Sequence, residues 1–315
     1  MKKSLIALAV LATAGTAFAQ SSVTLSGDID FGYFSYTAGG ATKTTAKGFA
    51  SDTSEIAINV TEDLGGGLKL AGRLGLEGMA RGYGTGPTDQ RITLSGGFGS
   101  LMMGSIEIGN GIRGLAQAGA PVNNMEGEIL GAATLNDIIK YTSPDMSGFK
   151  LSASHTEAVG GDAAGVGYAG LNDGEARAIT VGVDYAAGPL KAKLDYSKYS
   201  EAAFNNRYRV AAQYDLGVVV LGAGYEDRNF VASASGDQKK TMLGVSAPIG
   251  AATTVGAVWI KSQDKGAGSR TGYAVGVSYS LSKRTSLGAN FAQWESAENV
   301  ANKSSKTKIV LSHSF

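Results

Sequence analysis

Most of the chain is written in short segments in which apolar and polar residues alternate. The first is the plainest: Val23, Leu25, Ile29, Phe31 and Tyr33 share one side, with Gly27 among them, while Thr24, Ser26, Asp28, Asp30 and Gly32 share the other. A period of two over ten residues predicts a β-strand with one apolar and one polar face. Residues 55–61 repeat the pattern through Ile56, Ile58 and Val60. Leu68, Leu70, Leu74 and Leu76 then alternate with Lys69, Ala71, Arg73 and Glu77. Between them Glu62-Asp63-Leu64-Gly65-Gly66-Gly67 reads as a tight turn, because glycine supplies positive φ without a steric penalty. Residues 38–49, 78–89 and 156–175 read as loops rich in small residues. Paired strands are expected at 91–95 and 100–104, 137–142 and 149–155, 178–185 and 190–198, and 207–214 and 219–226. Further pairs fall at 241–247 and 254–261, then 272–280 and 286–294. A last strand at 306–315 puts Thr307, Ile309, Leu311, His313 and Phe315 on one face.

One stretch breaks the rhythm. Residues 106–136 show neither alternation nor a helical stripe, and a connector of that length is usually functional or disordered. The rest gives about sixteen strands with short and long connections in turn. The pattern predicts an all-β protein: a transmembrane antiparallel β-barrel of about sixteen strands, apolar outside and polar within, with the long connector folded inward to narrow the bore. The aromatics Tyr33, Phe149, Tyr185, Tyr196, Tyr208, Tyr214, Tyr225, Trp259, Tyr273, Tyr279, Phe291 and Phe315 fall mostly near strand ends on the apolar face, where interfacial girdles sit.

Composition fits that picture. Mean hydropathy is −0.01, as one lipid face and one wet face would average. No run after the first twenty residues is long and apolar enough for a membrane helix. Residues 1–19 read as a secretory signal peptide, with Lys2 and Lys3, an apolar core at 5–14, and Ala17-Phe18-Ala19 as the cleavage site. The barrel domain is then 20–315. Losing those two lysines moves the formal charge from +1 to about −1, which gives no general field for nucleic acid. There is no cysteine, so an exported chain of this kind draws no stability from disulfides.

In a water-filled barrel, charges at the narrowest part set selectivity. Basic candidates on the polar faces are Lys69, Arg73, Arg91, Lys140, Lys150, Lys191, Lys193, Arg207 and Arg209. Acidic ones are Asp28, Asp30, Glu55, Glu77, Asp184, Asp195 and Glu226. The inner connector offers Glu107, Glu126 and Glu128 against Arg113. Bases on the wall facing acids on the loop would set a transverse field across the slot. Keeping the lumen wet is the plainer role for any one charge. Arg73, Arg91 and Lys140 lie nearest the inner loop in sequence and are the constriction candidates, with Lys69 and Arg113 beside them. The excess of bases on the wall predicts a mild anion preference, which the loop acids oppose.

Several patches carry a resemblance. Ser22-Val23-Thr24-Leu25-Ser26-Gly27, Thr61-Glu62-Asp63-Leu64-Gly65-Gly66-Gly67-Leu68-Lys69, Lys140-Tyr141-Thr142-Ser143-Pro144-Asp145-Met146-Ser147-Gly148-Phe149, Tyr279-Ser280-Leu281-Ser282-Lys283-Arg284-Thr285 and the ending Leu311-Ser312-His313-Ser314-Phe315 resemble the general porins of Gram-negative bacteria, in particular the porins of beta-proteobacteria. The resemblance implies an outer-membrane homotrimer of sixteen-stranded barrels with the third loop inside. It implies passive diffusion of small hydrophilic solutes and ions, and no cofactor. It also implies that Phe315, with His313 and Leu311, is the signal read by the barrel-assembly machinery. Relatives carry arginines on the strand entering the third loop. Here that strand reads Leu101-Met102-Met103-Gly104-Ser105, and the penultimate position that is commonly basic is Ser312.

Other chemistries find little support. Gly109-Asn110-Gly111-Ile112-Arg113-Gly114 matches G-x-G-x-x-G, but the dinucleotide motif needs a parallel sheet and a following helix, and a glycine-rich chain yields such matches freely. The two histidines, His155 and His313, have no paired ligand spacing for zinc. An outer-membrane hydrolase would need His155 beside a serine and an orienting group.

Overall fold

The computed structural model describes residues 21–78, 86–123, 125–158, 177–200, 204–230, 236–266, 268–296 and 302–315. The expected signal peptide lies outside the described residues, as do the greater parts of the loops expected at 78–89 and 156–175. Seventeen strands form one antiparallel sheet: β1 (Ser22–Ala38), β2 (Thr44–Ala50), β3 (Glu55–Gly65), β4 (Leu68–Glu77), β5 (Gly86–Gly96), β6 (Gly99–Ile108), β7 (Thr134–Thr142), β8 (Phe149–Ala158), β9 (Arg177–Ala187), β10 (Leu190–Tyr199), β11 (Phe204–Asp215), β12 (Val220–Phe230), β13 (Gln238–Ile249), β14 (Thr253–Asp264), β15 (Gly268–Ser280), β16 (Thr285–Trp294) and β17 (Ser304–Ser314). From β3 onward each pairs with the next, β1 pairs with both β2 and β3, and β17 returns to β1, so the sheet closes on itself.

The barrel is sixteen-stranded in section because β2 and β3 share one slot. The upper half of β1 pairs with β2 (Gly32 opposite Ala50), and its lower half pairs with β3 (Asp28 opposite Glu55). Residues 51–54 step out of the ladder between them. Asp30 holds this kink: its carboxylate accepts from Ser51 Oγ at 2.7 Å and from the amides of Asp52 and Thr53 at 2.8 Å each. The expected loop at 38–49 is therefore largely strand. Its Thr- and Gly-rich sequence lacks alternation because this ribbon continues past the apolar stretch of β1, where neither face need be greasy.

Outward side chains form the apolar band. Val23, Leu25, Ile29 and Phe31 on β1 are 57–69% exposed, as lipid-facing residues are when the protein is considered alone. Aromatics pack as tilted pairs across neighbouring strands on this surface, Phe149 against Tyr185 at 4.6 Å and Tyr196 against Tyr208 at 4.8 Å. The C-terminus closes the seam. Phe315 exchanges main-chain hydrogen bonds with Gly27 at 3.0 and 3.2 Å, and its ring lies where a Gly27 side chain would be, 2.7 Å from that Cβ position. Leu311 points outward, half exposed, and His313 Nδ1 shares a 2.9 Å hydrogen bond with Thr285 Oγ1.

The inward face corrects one expectation. It is not polar throughout: Met242, Val258, Ile260, Ala274, Ala292 and Trp294 point into the bore and are buried there. What buries them is the inner loop.

Candidate functional site

The unpaired connector is shorter than its sequence suggests, since β6 runs on to Ile108 and β7 begins at Thr134. It also contains one helical turn, α1 (Arg113–Ala116). Its underside, Ile112, Ala116, Ala120, Met125, Ile129 and Leu130, packs with the inward apolar residues of β13–β16 into a single dry cluster. Burying large apolar side chains contributes about 1.5–3 kcal/mol each, which explains why a loop inside a wet channel stays on the wall.

Glycines on the wall let the loop come close. A Cβ at Gly224 would lie 2.8 Å from Ile112 Cβ and 3.0 Å from Ala116 Cβ. One at Gly256 would lie 2.5 Å from Ala120 Cβ. Gly222 and Gly244 face the backbone of Leu115–Gln117, and Gly276 faces that of Pro121. Ser246 Oγ adds a hydrogen bond to the Ala118 carbonyl.

The G-x-G-x-x-G run serves the same docking. Gly109 makes room for the Glu126 carboxylate and Gly111 for the Arg209 guanidinium. Asn110 receives both ends of the arrangement: its amide donates to Glu126 at 2.9 Å and its Nδ2 to Glu226 at 3.2 Å. Arg113 pairs with Glu126. Glu226 is part of a row that runs around the wall across four strands, in which Asp195 faces Arg209, Arg209 faces Glu226 and Glu226 faces Lys240. The signs alternate, all four side chains are buried, and the Arg209–Asp195 and Lys240–Glu226 separations are 2.7 and 3.7 Å.

Two cavities border the loop. The β5–β6 ladder ends at Ser105, and residues of the upper β6–β7 ribbon line both cavities. Ile106, Ile108, Asn136 and Ile138 line a cleft of about 720 Å³, closed on the other side by β8–β13. Glu107 lines a slot of about 410 Å³ with Asp52, Glu126, Glu128, Lys306 and Lys308. Ala132 borders both. The slot sets loop acids against wall lysines, and Lys308 pairs with Asp52. Burial pushes the Glu128 carboxyl above the usual carboxylate range, with Lys306 and Lys308 pulling back.

The expected site residues divide. Glu107, Glu126 and Glu128 do converge on one slot. Lys140 lies instead in the cleft, with Lys193, Arg207, Arg209, Arg228 and Lys240. Arg73 and Arg91 face each other across β4 and β5, each with its own acid: Arg73–Glu55 at 2.7 Å and Arg91–Asp89 at 2.8 Å. Lys69 is at the short-turn end of β4, opposite Ser95 and Asp63. Sequence reasoning missed Lys306 and Lys308, and with them Arg228, Lys240 and Arg270. The two lysines were within reach, as the even-numbered face of the last strand. His155 lies 2.9 Å from Glu157. Among the described residues no group of three or more His, Asp or Glu is placed to hold a metal ion.

A model of the Gram-negative porin family matches residues 4–299. The chain belongs to the Gram-negative porin family. It is 32% identical over 334 residues to Outer membrane porin protein 32 of Delftia acidovorans, covering 93% of this chain and 89% of that one. It is 29% identical to an outer membrane porin of Bordetella pertussis, covering 96% and 98%. Among solved structures, an anion-selective porin from Comamonas acidovorans superposes with a TM-score of 0.71 at 23% identity, covering 94% of this chain and all of that one. A loop-deletion mutant of OmpT, an outer membrane protein of Vibrio cholerae, gives 0.68 at 12% identity. This porin is thus a channel of the outer membrane, surrounded by lipid and traversed by solute, and not an enzyme.

Proposed function

We propose that this porin is a diffusion channel for small hydrophilic solutes and ions with a mild preference for anions. The observation that carries the preference is the charge of the cleft, where six cationic side chains meet one lining carboxylate, Asp195. The slot pulls the other way, with four acids to two lysines. Its charge is damped, however, because Asp52 and Glu126 are each ion-paired and Glu128 is disfavoured as an anion. Lys140 and Lys69 add positive potential along the bore, with Arg73, Arg91 and Arg113 each held by an acid of its own, while Glu107, Glu126 and Glu128 give the slot its transverse field. The Comamonas neighbour is described as anion-selective, in keeping with this sign.

The rest of the reading follows the family resemblance. Residues 1–19 direct export and are removed. Phe315, with His313 and Leu311, is the assembly signal, and its seat against Gly27 gives a reason for an aromatic at the end of the chain. Three barrels assemble as a homotrimer. The test is recording in planar bilayers under a potassium chloride gradient. An anion-signed reversal potential with channels entering in groups of three is expected. A cation-signed potential would sink the selectivity, and single-step insertion would sink the trimer.

A further inference from the structure

A hollow of about 400 Å³ lies on the lipid-facing side of β13–β15, lined by Leu243, Val245, Ala257, Trp259, Tyr273 and Val275. The register explains it. Val245, Ala257 and Val275 stand in one row, and Leu243, Trp259 and Tyr273 in the next row toward the long-loop end. Ala257 is thus a small residue ringed by larger ones. Above the aromatic row the outward face turns polar. Thr241, Lys261 and Thr271 form the next row, and Lys239, Gln263 and Ser269 the one after. Lys261 stands two residues beyond Trp259, about 7 Å along the strand. The carboxylates around it are engaged elsewhere. Asp227 takes Lys239 at 3.8 Å and the Tyr225 hydroxyl at 3.3 Å. Glu295 takes Lys303 at 3.5 Å and the amide and hydroxyl of Thr271 at 2.8 and 3.0 Å. Asp264, on the inner face, takes Arg270. Among the described residues Lys261 has no ion-pair partner. Long connections of such barrels face outside the cell, so these lysines sit at the headgroup level of the outer leaflet.

We propose that the outer face of β13–β15 is a specific site for one anionic, phosphate-bearing lipid of the outer leaflet. One acyl chain lies in the hollow beside Ala257, and the headgroup phosphate meets Lys261, with Lys239 and the Thr241 hydroxyl around it. Lipid tails are as apolar as the side chains they touch, so burial alone selects no lipid in a membrane. A hollow does select, because a chain seated there makes close contacts that a smooth wall denies it. Charge then chooses the headgroup, since a lysine near the membrane surface attracts anionic lipid. Lys239 and Lys261 outweigh Asp227 by one positive charge, which a phosphodiester balances. A zwitterionic headgroup brings its own cation to the same place and gains less. Trp259 joins the two halves, at the level where amphipathic rings meet headgroups.

The chain has two tryptophans, and Trp294 is buried inside the bore, so quenching from the lipid side reports Trp259. The test uses the intact porin in phosphatidylcholine vesicles. Rising fractions of phosphatidylglycerol or phosphatidylcholine, each brominated on the acyl chains, are added as quenchers. Brominated phosphatidylglycerol is expected to quench along a saturating curve, half-maximal at a mole fraction at least about fivefold below that of brominated phosphatidylcholine. K261Q moves the phosphatidylglycerol curve to higher fractions by about the same factor. A257F fills the hollow and also brings the two curves together. K198Q, at an exposed outward lysine on β10, leaves them apart. Soluble glycerol phosphate does not relieve the quenching, and the reversal potential of K261Q stays as in wild type. Heat-modifiable migration shows that each variant is folded. Coincident curves in the wild type would mean ordinary annular lipid and would overturn the site. So would an unchanged curve in K261Q or in A257F, or relief by glycerol phosphate, which would mark a site for free phosphate. A shifted reversal potential in K261Q would place the lysine in the bore and overturn it too.

Discussion

Gly224→Ala adds one methyl group beneath α1. The new Cβ would sit 2.8 Å from Ile112 Cβ and 3.0 Å from Ala116 Cβ, where ordinary contact begins at 3.4 Å. Both neighbours are stem atoms of a helical turn, so no side-chain rotation relieves the clash. The wall cannot retreat either, because β12 is laddered to β11 and β13 along its length. The loop therefore recedes toward the lumen by about 1 Å, and overpacking of this kind costs about 1–3 kcal/mol. An advance of that size narrows the bore on the lumen side of α1, so single-channel conductance should fall together with the thermal unfolding temperature. Gly288→Ala is the control: it adds a methyl to the same lumen face, but its nearest neighbours are 3.8 and 4.0 Å away, and conductance should hold. Wild-type conductance and stability in Gly224→Ala would refute the idea that glycines set the loop's stand-off from the wall.

Other outcomes follow from the same geometry. Arg73→Glu should move the reversal potential in a salt gradient toward cations, and no movement would remove Arg73 from the constriction. Because burial raises the Glu128 carboxyl, it gains its proton at a higher pH than an ordinary glutamate. Mild acidification should therefore increase the anion-to-cation permeability ratio, and Glu128→Gln should flatten that part of the pH response. Asp30→Ala leaves the amides of Asp52 and Thr53 without their acceptor. It should cost about 1–3 kcal/mol in denaturant unfolding and free Lys308 from Asp52, seen as a further anion shift. Gly27→Val displaces the Phe315 ring and should reduce the folded, heat-modifiable fraction reaching the outer membrane.

The barrel was legible because lipid on one side and water on the other write themselves into alternate residues. Val23 to Tyr33 could be read as nothing else, and the terminal strand showed its outward face residue by residue. Legibility failed where that contrast lapses. Arg228, Lys240 and Arg270 lie at strand ends beyond the apolar stretch, where alternation gives no signal, so periodicity leaves them outside the strands. The 44–50 ribbon was lost for the same reason. The dry inner wall left a subtler mark. Gly222, Gly224, Gly244 and Gly256 occupy the face where a lumen residue would be polar, next to Met242, Val258 and Ile260. A strand segment with no polar side is a segment covered on both, and that signal is present in the sequence.

The β6–β7 ribbon has a consequence for how such a channel can change. Ile106 and Ile108 look into one chamber while Glu107 looks into the other. It is a partition only one peptide thick, whose two surfaces are spelled by interleaved letters of the same word. A single replacement at an odd or an even position can repaint one room and leave its neighbour untouched. Two traffic rules can therefore be edited independently inside one tube, without moving a strand.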